Sequence, residues 1–126
     1  MSALVGREWI WGSTDCWTLV RDWYLSKGLL LPDWDRPTIQ EFEAAPMFDG
    51  CWEEAGFYEL EADGELQEGD ALLLCIGDNK PNHVGIFMAS GEILHHLKNH
   101  LSRRDNYGRW LQSATTRRLR HEAFKP

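Results

Sequence analysis

The chain has 126 residues, 43% of them apolar, with seven tryptophans and a net charge of −7. That is enough for one ordinary domain with its own core, residues 1–126, and the aromatic content excludes a disordered polypeptide. The longest apolar run, Ala71 to Ile76, is far short of the ~20 residues of a membrane-spanning helix, so no membrane insertion is expected. The opening stretch, Met1 to Trp11, is broken by Arg7 and Glu8 before it reaches signal-peptide length, so a soluble product made in the cytoplasm is expected.

Charge is unevenly spread. Residues 98–126 carry eight basic and two acidic groups, a net +6, whereas the first 97 residues carry a net −13. No aromatic-and-basic RNA motif accompanies the arginines, so the two parts are expected to neutralise one another rather than bind nucleic acid. Cys16, Cys51 and Cys75 form an odd set with no CxxC pair. At least one thiol must then lack an intramolecular disulfide partner, and neither a zinc site nor any other cofactor is expected.

In chain order, the first strong element runs from Cys16 to about Lys27. Trp17, Leu19, Val20, Trp23 and Tyr24 fall near helical spacing, behind the N-cap residues Ser13, Thr14 and Asp15 and ahead of a Gly28 stop. Leu29 to Pro37 reads as a loop. A second helix is predicted from Thr38 to about Ala45, and a short third one around Gly50 to Ala55, ended by Gly56. The second half changes character. Leu66 to Asp70 forms a turn into a buried strand at Ala71 to Ile76, followed by strands at His83 to Met88 and Glu92 to Leu97. Further strands are predicted around Trp110 to Gln112 and Thr116 to Arg120. Helices first and antiparallel strands afterwards make the fold class α+β.

Chemistry centres on Cys16. A thiol attacks as the thiolate, and a helix N-terminus favours that form through its unpaired N–H groups and dipole. Cys75 lies within the apolar strand run and is expected to be buried and inert. A base must approach the sulfur, and a third group must orient the base. His83 opens a strand after a polar loop, where its imidazole can face a cleft. The next strand ends in His95 and His96, and hairpin register decides between them. A two-residue loop, Ser90-Gly91, would put His96 on the face of His83; a three-residue loop, Ala89-Ser90-Gly91, would put His95 there. Three-residue loops favour glycine in third place, which Gly91 occupies, so His95 is the expected partner.

These residues together carry a resemblance. Thr14-Asp15-Cys16 at a helix start, Gly69-Asp70 before a buried strand, His83-Val84-Gly85-Ile86-Phe87, and Gly91 followed by Ile93-Leu94-His95 resemble the NlpC/P60 cysteine peptidases. The resemblance implies a papain-like fold with N-terminal helices packed on a small antiparallel β-sheet. It implies Cys16 as nucleophile, His83 as base and His95 as the orienting residue. It also implies hydrolysis of peptide bonds in bacterial peptidoglycan stem peptides. Asp15 to Tyr24 and His95-His96-Leu97 with Leu101 to Asp105 look more narrowly like the peptidase domain of tailed-phage tail assembly proteins. That likeness implies tail-tip proteins as partners, synthesis in the host cytoplasm, residence in the virion tail and action at the cell wall. Many bacterial members carry a small Ser-Gly after the cysteine, where this chain has Trp17-Thr18. The oxyanion is expected at the Cys16 N–H, and Asp15, Trp11 and Trp17 are candidates for the oxyanion and substrate groove. Two other readings remain: a non-catalytic structural tail component, or a protease acting on tail proteins during assembly.

Overall fold

The computed structural model describes residues 3–126, so the first two residues of the Met1 to Trp11 stretch lie outside it. The first helix, α1 (Cys16–Ser26), starts where Asp15 caps it: the Asp15 carboxylate accepts from the Thr18 N–H, satisfying one of the amides an N-terminus leaves unpaired. It ends at Gly28, whose φ of +87° is the left-handed conformation glycine adopts without steric cost. Helix α2 (Ile39–Ala44) opens with a reciprocal capping box between Thr38 and Glu41.

The predicted third helix does not form. Phe48–Gly50 makes one 3₁₀ turn, followed by further turns to Gly56. Glycines at both ends of a seven-residue segment leave too few helix-favouring positions to repay nucleation. The predicted strand at Trp110 to Gln112 is also absent. Those residues belong to helix α3 (Arg109–Ala114), which starts at Gly108 and buries only Leu111.

A six-stranded antiparallel sheet in the order β1-β6-β2-β3-β4-β5 forms the second layer, so the chain is α+β. The strands are β1 (Phe57–Glu59), β2 (Ala71–Leu74), β3 (His83–Met88), β4 (Glu92–His95), β5 (Arg103–Asn106) and β6 (Thr115–His121). β1 and β5 carry no apolar alternation of useful length, and the sequence pattern did not reveal them. The apolar run Ala71 to Leu74 is continuous because both faces of β2 are covered. Ala71 and Leu73 join the main core with Leu19, Val20, Tyr24 and Ile86, whereas Leu72 and Leu74 pack with Ile93 and Leu111 behind the sheet. The strand stops at Leu74, so Cys75 lies half-buried beyond it rather than sealed inside as predicted.

Ion pairs join the basic C-terminal part to the acidic remainder, as the charge distribution predicts. Arg117 pairs with Asp49 and Glu59, Arg120 with Asp70, and Lys98 with Glu43. All three cysteines are free thiols. Among the described residues, no helix is long and apolar enough to cross a membrane.

Candidate active site

α1 packs against β3, which brings the start of the helix to the start of the strand. The residues there border one cleft of about 270 Å³, whose lining includes Cys16, His83, His96, Asn82, Trp9 and Trp11. Cys16 is only 5% exposed, so the thiol sits at the cleft floor rather than on a surface. The backbone N–H groups of Val84, the neighbour of His83 in sequence, and of Trp17 favour the charged form of its sulfur.

Register then assigns the histidines. Met88 pairs with Glu92 and Gly85 with His95, with Gly91 at φ +85°, so the connection is the three-residue loop and His95 shares the face of His83. His83 Nε2 lies 2.9 Å from His95 Nδ1. Gly85 stands between them on β3. A Cβ there would fall 2.7 Å from Ile93 Cδ1 and 3.0 Å from His95 Cβ, so the His95 side chain crosses over bare backbone. His96 points elsewhere, its Nε2–H donating to the His100 carbonyl at 2.9 Å, although it too borders the cleft.

Behind His95 stands a residue the sequence reading did not single out as a site member. Asp105 on β5 pairs across the ladder with Ile93, which turns its side chain to the face that carries His95. Its Oδ2 accepts from His95 Nε2 and from Arg103 Nε, each at 2.7 Å. The signal in sequence was an acidic residue two positions after Arg103. Without an apolar pattern to reveal β5, nothing tied it to His95.

Burial dominates the electrostatics. It pushes the Cys16 thiol up to about 12, with the Asp15 charge adding to the effect and outweighing the backbone hydrogen bonds. Burial also holds the His83 imidazole well below its ordinary value, helped by repulsion from His95 and His96. The resting pair is therefore a neutral thiol and a neutral imidazole. Burial thus opposes the thiolate that a helix N-terminus favours, because the hydration lost by a nearly sealed sulfur counts against what the dipole returns.

The three groove candidates separate. Trp11 borders the cleft, with its ring 4.6 Å from that of Phe42 and its indole N–H donating to the Pro37 carbonyl. Trp17 does not; it is 5% exposed and stacks on Trp34 in the core with ring centroids 5.1 Å apart. Asp15 is fully buried, and its carboxylate is committed to the N–H groups of Gly12 and Thr18 and to an ion pair with Arg36 at 3.0 Å. It builds the helix start rather than the groove.

The chain is 36% identical over 122 residues to "Tail tip assembly protein K" of Escherichia phage lambda, covering 97% of this chain and 61% of that protein. It is 35% identical over 122 residues to "Tail tip assembly protein K" of Escherichia phage N15, covering 94% of this chain and 49% of that protein. The chain thus spans 61% and 49% of the length of these two relatives. A model of the NlpC/P60 family matches residues 6–120, a span that takes in the helix start, the cleft and the six strands up to Arg120 of β6, and the chain belongs to that family.

Proposed function

We propose that residues 1–126 form one cysteine peptidase domain that hydrolyses peptide bonds in bacterial peptidoglycan stem peptides. The observation that carries this reading is the convergence on one cleft of Cys16 at a helix start and His83 at a strand start, with His95 2.9 Å behind His83. Cys16 is the nucleophile, His83 the general base and His95 the residue that orients it.

With a neutral resting pair, the thiol proton moves to His83 as sulfur attacks the scissile carbonyl. The S–C bond forms, and the carbonyl oxygen becomes an oxyanion beside the Cys16 N–H, which as the first helical amide has no intrahelical acceptor. His83 then gives its proton to the leaving amine as the C–N bond breaks. Water, deprotonated by His83, attacks the thioester and releases the acid and the thiol. No metal or organic cofactor takes part in these steps.

Similarity to two phage proteins named for tail tip assembly supports a place in a virion tail. In this reading the protein is made in the host cytoplasm, joins tail-tip proteins and acts at the bacterial cell wall. The deep burial of Cys16 favours a second reading, a tail component that needs no catalysis. Digestion of purified peptidoglycan with wild type and Cys16→Ala, followed by mass analysis, separates the two. New amine and carboxyl ends from wild type alone support the peptidase; equal release by both proteins removes it. Incubation with purified tail proteins tests whether they are the substrate instead.

A further inference from the structure

The relay behind His83 does not stop at His95. We propose that Asp105 is a positioning residue: by accepting the Nε2 proton of His95 it sets both histidines in the tautomer that leaves His83 Nδ1 bare, ready to take the Cys16 proton. The inference rests on the reading of Cys16 and His83 as nucleophile and base, although its central test needs no substrate.

The proton positions follow one from another. A carboxylate only accepts hydrogen bonds, so at 2.7 Å from Asp105 Oδ2 the His95 Nε2 must carry its hydrogen. His95 is 1% exposed, and burial holds its imidazole below the ordinary value, so the ring is neutral at pH 7 and above. A neutral ring with Nε2–H has a bare Nδ1. That Nδ1 lies 2.9 Å from His83 Nε2, which must then be the donor. His83, neutral as well, is left with a bare Nδ1 as its only basic atom.

Reversing one proton disables the site. If His95 carried its hydrogen on Nδ1, it would donate to a bare His83 Nε2, and His83 would hold its own hydrogen on Nδ1. Such a ring has no lone pair to offer the thiol from that atom. Without Asp105 only the small intrinsic difference between neutral tautomers opposes this state. A hydrogen bond to a charged acceptor biases the choice roughly ten- to a hundredfold. Asp105 stays ionised for the role: burial works against its charge, but hydrogen bonds from Arg103 and His95 outweigh burial and hold its carboxyl below the ordinary value.

An ordinary edge-strand Asp–Arg pair would give the same 2.7 Å contact to Arg103 but would not share the same oxygen with a buried imidazole. Arg103, 45% exposed, supports the charge of Asp105 without bonding to either imidazole, so its loss leaves the acceptor on His95 Nε2 in place, whereas loss of Asp105 removes it.

Long-range ¹⁵N–¹H correlation spectra of histidine-labelled protein at pH 7.5 read each ring directly. Wild type and Arg103→Ala are expected to show His95 and His83 as Nε2–H tautomers. Asp105→Ala is expected to show a mixture at both rings, and Asp105→Asn, whose amide can either accept or donate, an intermediate mixture. Against a muropeptide, Asp105→Ala should lower kcat roughly ten- to a hundredfold with KM little changed, the fold-change that a hydrogen bond to a charged acceptor is worth. Unchanged tautomers in Asp105→Ala overturn the inference; should that variant not fold, unchanged tautomers in Asp105→Asn do so. Shifted tautomers in a protein whose wild type cleaves nothing would uphold the relay while removing the peptidase.

Discussion

Gly85 faces His95 across the β3–β4 ladder, and the space where its side chain would stand is filled by Ile93 and by His95 itself. The φ of Gly85 is not in the left-handed region, so this glycine is required for room rather than for backbone freedom. A methyl group there meets Ile93 Cδ1 at 2.7 Å and His95 Cβ at 3.0 Å, both closer than van der Waals contact allows. Overpacking of this kind typically costs about 1–3 kcal/mol. Gly85→Ala is therefore expected to unfold at lower urea concentration and to disturb the His83–His95 contact. A variant with wild-type stability and unshifted His83 and His95 resonances would contradict this account.

Asp15 and Arg36 form a buried pair, with side-chain exposures of 0% and 5%, at the start of the helix that carries Cys16. Removing one partner leaves the other charge buried, which in comparable sites costs roughly 3–5 kcal/mol. Asp15→Ala also forfeits the cap, and it should be more destabilising than Glu43→Ala, whose partner Lys98 is 48% exposed. Burial of Asp15 raises its pKa, but the hydrogen bond from Arg36 and those from the Thr18 and Gly12 backbone outweigh that and hold its carboxyl below the ordinary value. A depressed folded-state value contributes stability that is present above the unfolded carboxyl's titration and is lost as pH falls through the folded one. Urea titrations from pH 7 down to pH 2 should show the wild-type stability falling below about pH 4, the ordinary carboxyl range, more steeply than that of Asp15→Asn.

Much of this was legible in the sequence, because local rules and tertiary demands agree there. Ser13 to Asp15 before an apolar helical stripe fixed the start of α1. The three-residue loop ending in Gly91 fixed which histidine meets His83. Where apolar periodicity is absent, the reading failed. Arg103–Asn106 forms β5 only because it pairs with β4, and no property of those four residues alone announces a strand. Arg109–Ala114 lies in a helix because Gly108 starts it and Leu111 anchors it, where a strand was predicted around Trp110 to Gln112; Trp110 is 65% exposed. The burial of Cys16 was not legible for a different reason: position at a helix start is visible in sequence, whereas depth is not.

Depth gives Cys16 a pH signature. Its folded-state pKa is raised, so the stability it contributes is fully present below the unfolded thiol's value of about 8.5 and is lost as pH rises toward about 12. For His83 the direction is opposite: a depressed value contributes stability above about pH 6.5 that is lost as pH falls. Between pH 9 and 11 wild type should lose stability relative to Cys16→Ala, at a slope approaching ~1.4 kcal/mol per pH unit. Cys51 and Cys75, whose thiols are also raised, remain in both proteins and cancel in the comparison. Parallel stability curves for the two proteins over that range would mean that the folded thiol titrates as an ordinary one.

Trp11 and Trp17 looked equivalent as groove candidates, and their surroundings now assign them different losses. Trp17 stacks on Trp34 in the core, and its indole N–H donates to the Pro32 carbonyl at 3.2 Å. Truncating a buried tryptophan to alanine costs roughly 3–5 kcal/mol, so Trp17→Ala should lower the melting temperature sharply. Trp11 is half-buried, with its ring against Phe42 and one side toward the cleft, so its removal takes away less packing. Trp11→Phe keeps an aromatic wall but gives up the 2.7 Å hydrogen bond to the Pro37 carbonyl, at a cost near ~1 kcal/mol. In peptidoglycan digestion, Trp11→Ala should raise KM with kcat nearly unchanged, because a wall that touches substrate away from the reacting carbonyl contributes equally to ground and transition states. A fall in kcat at constant KM would instead place Trp11 against the reacting centre. An unchanged KM and kcat would remove it from the groove altogether.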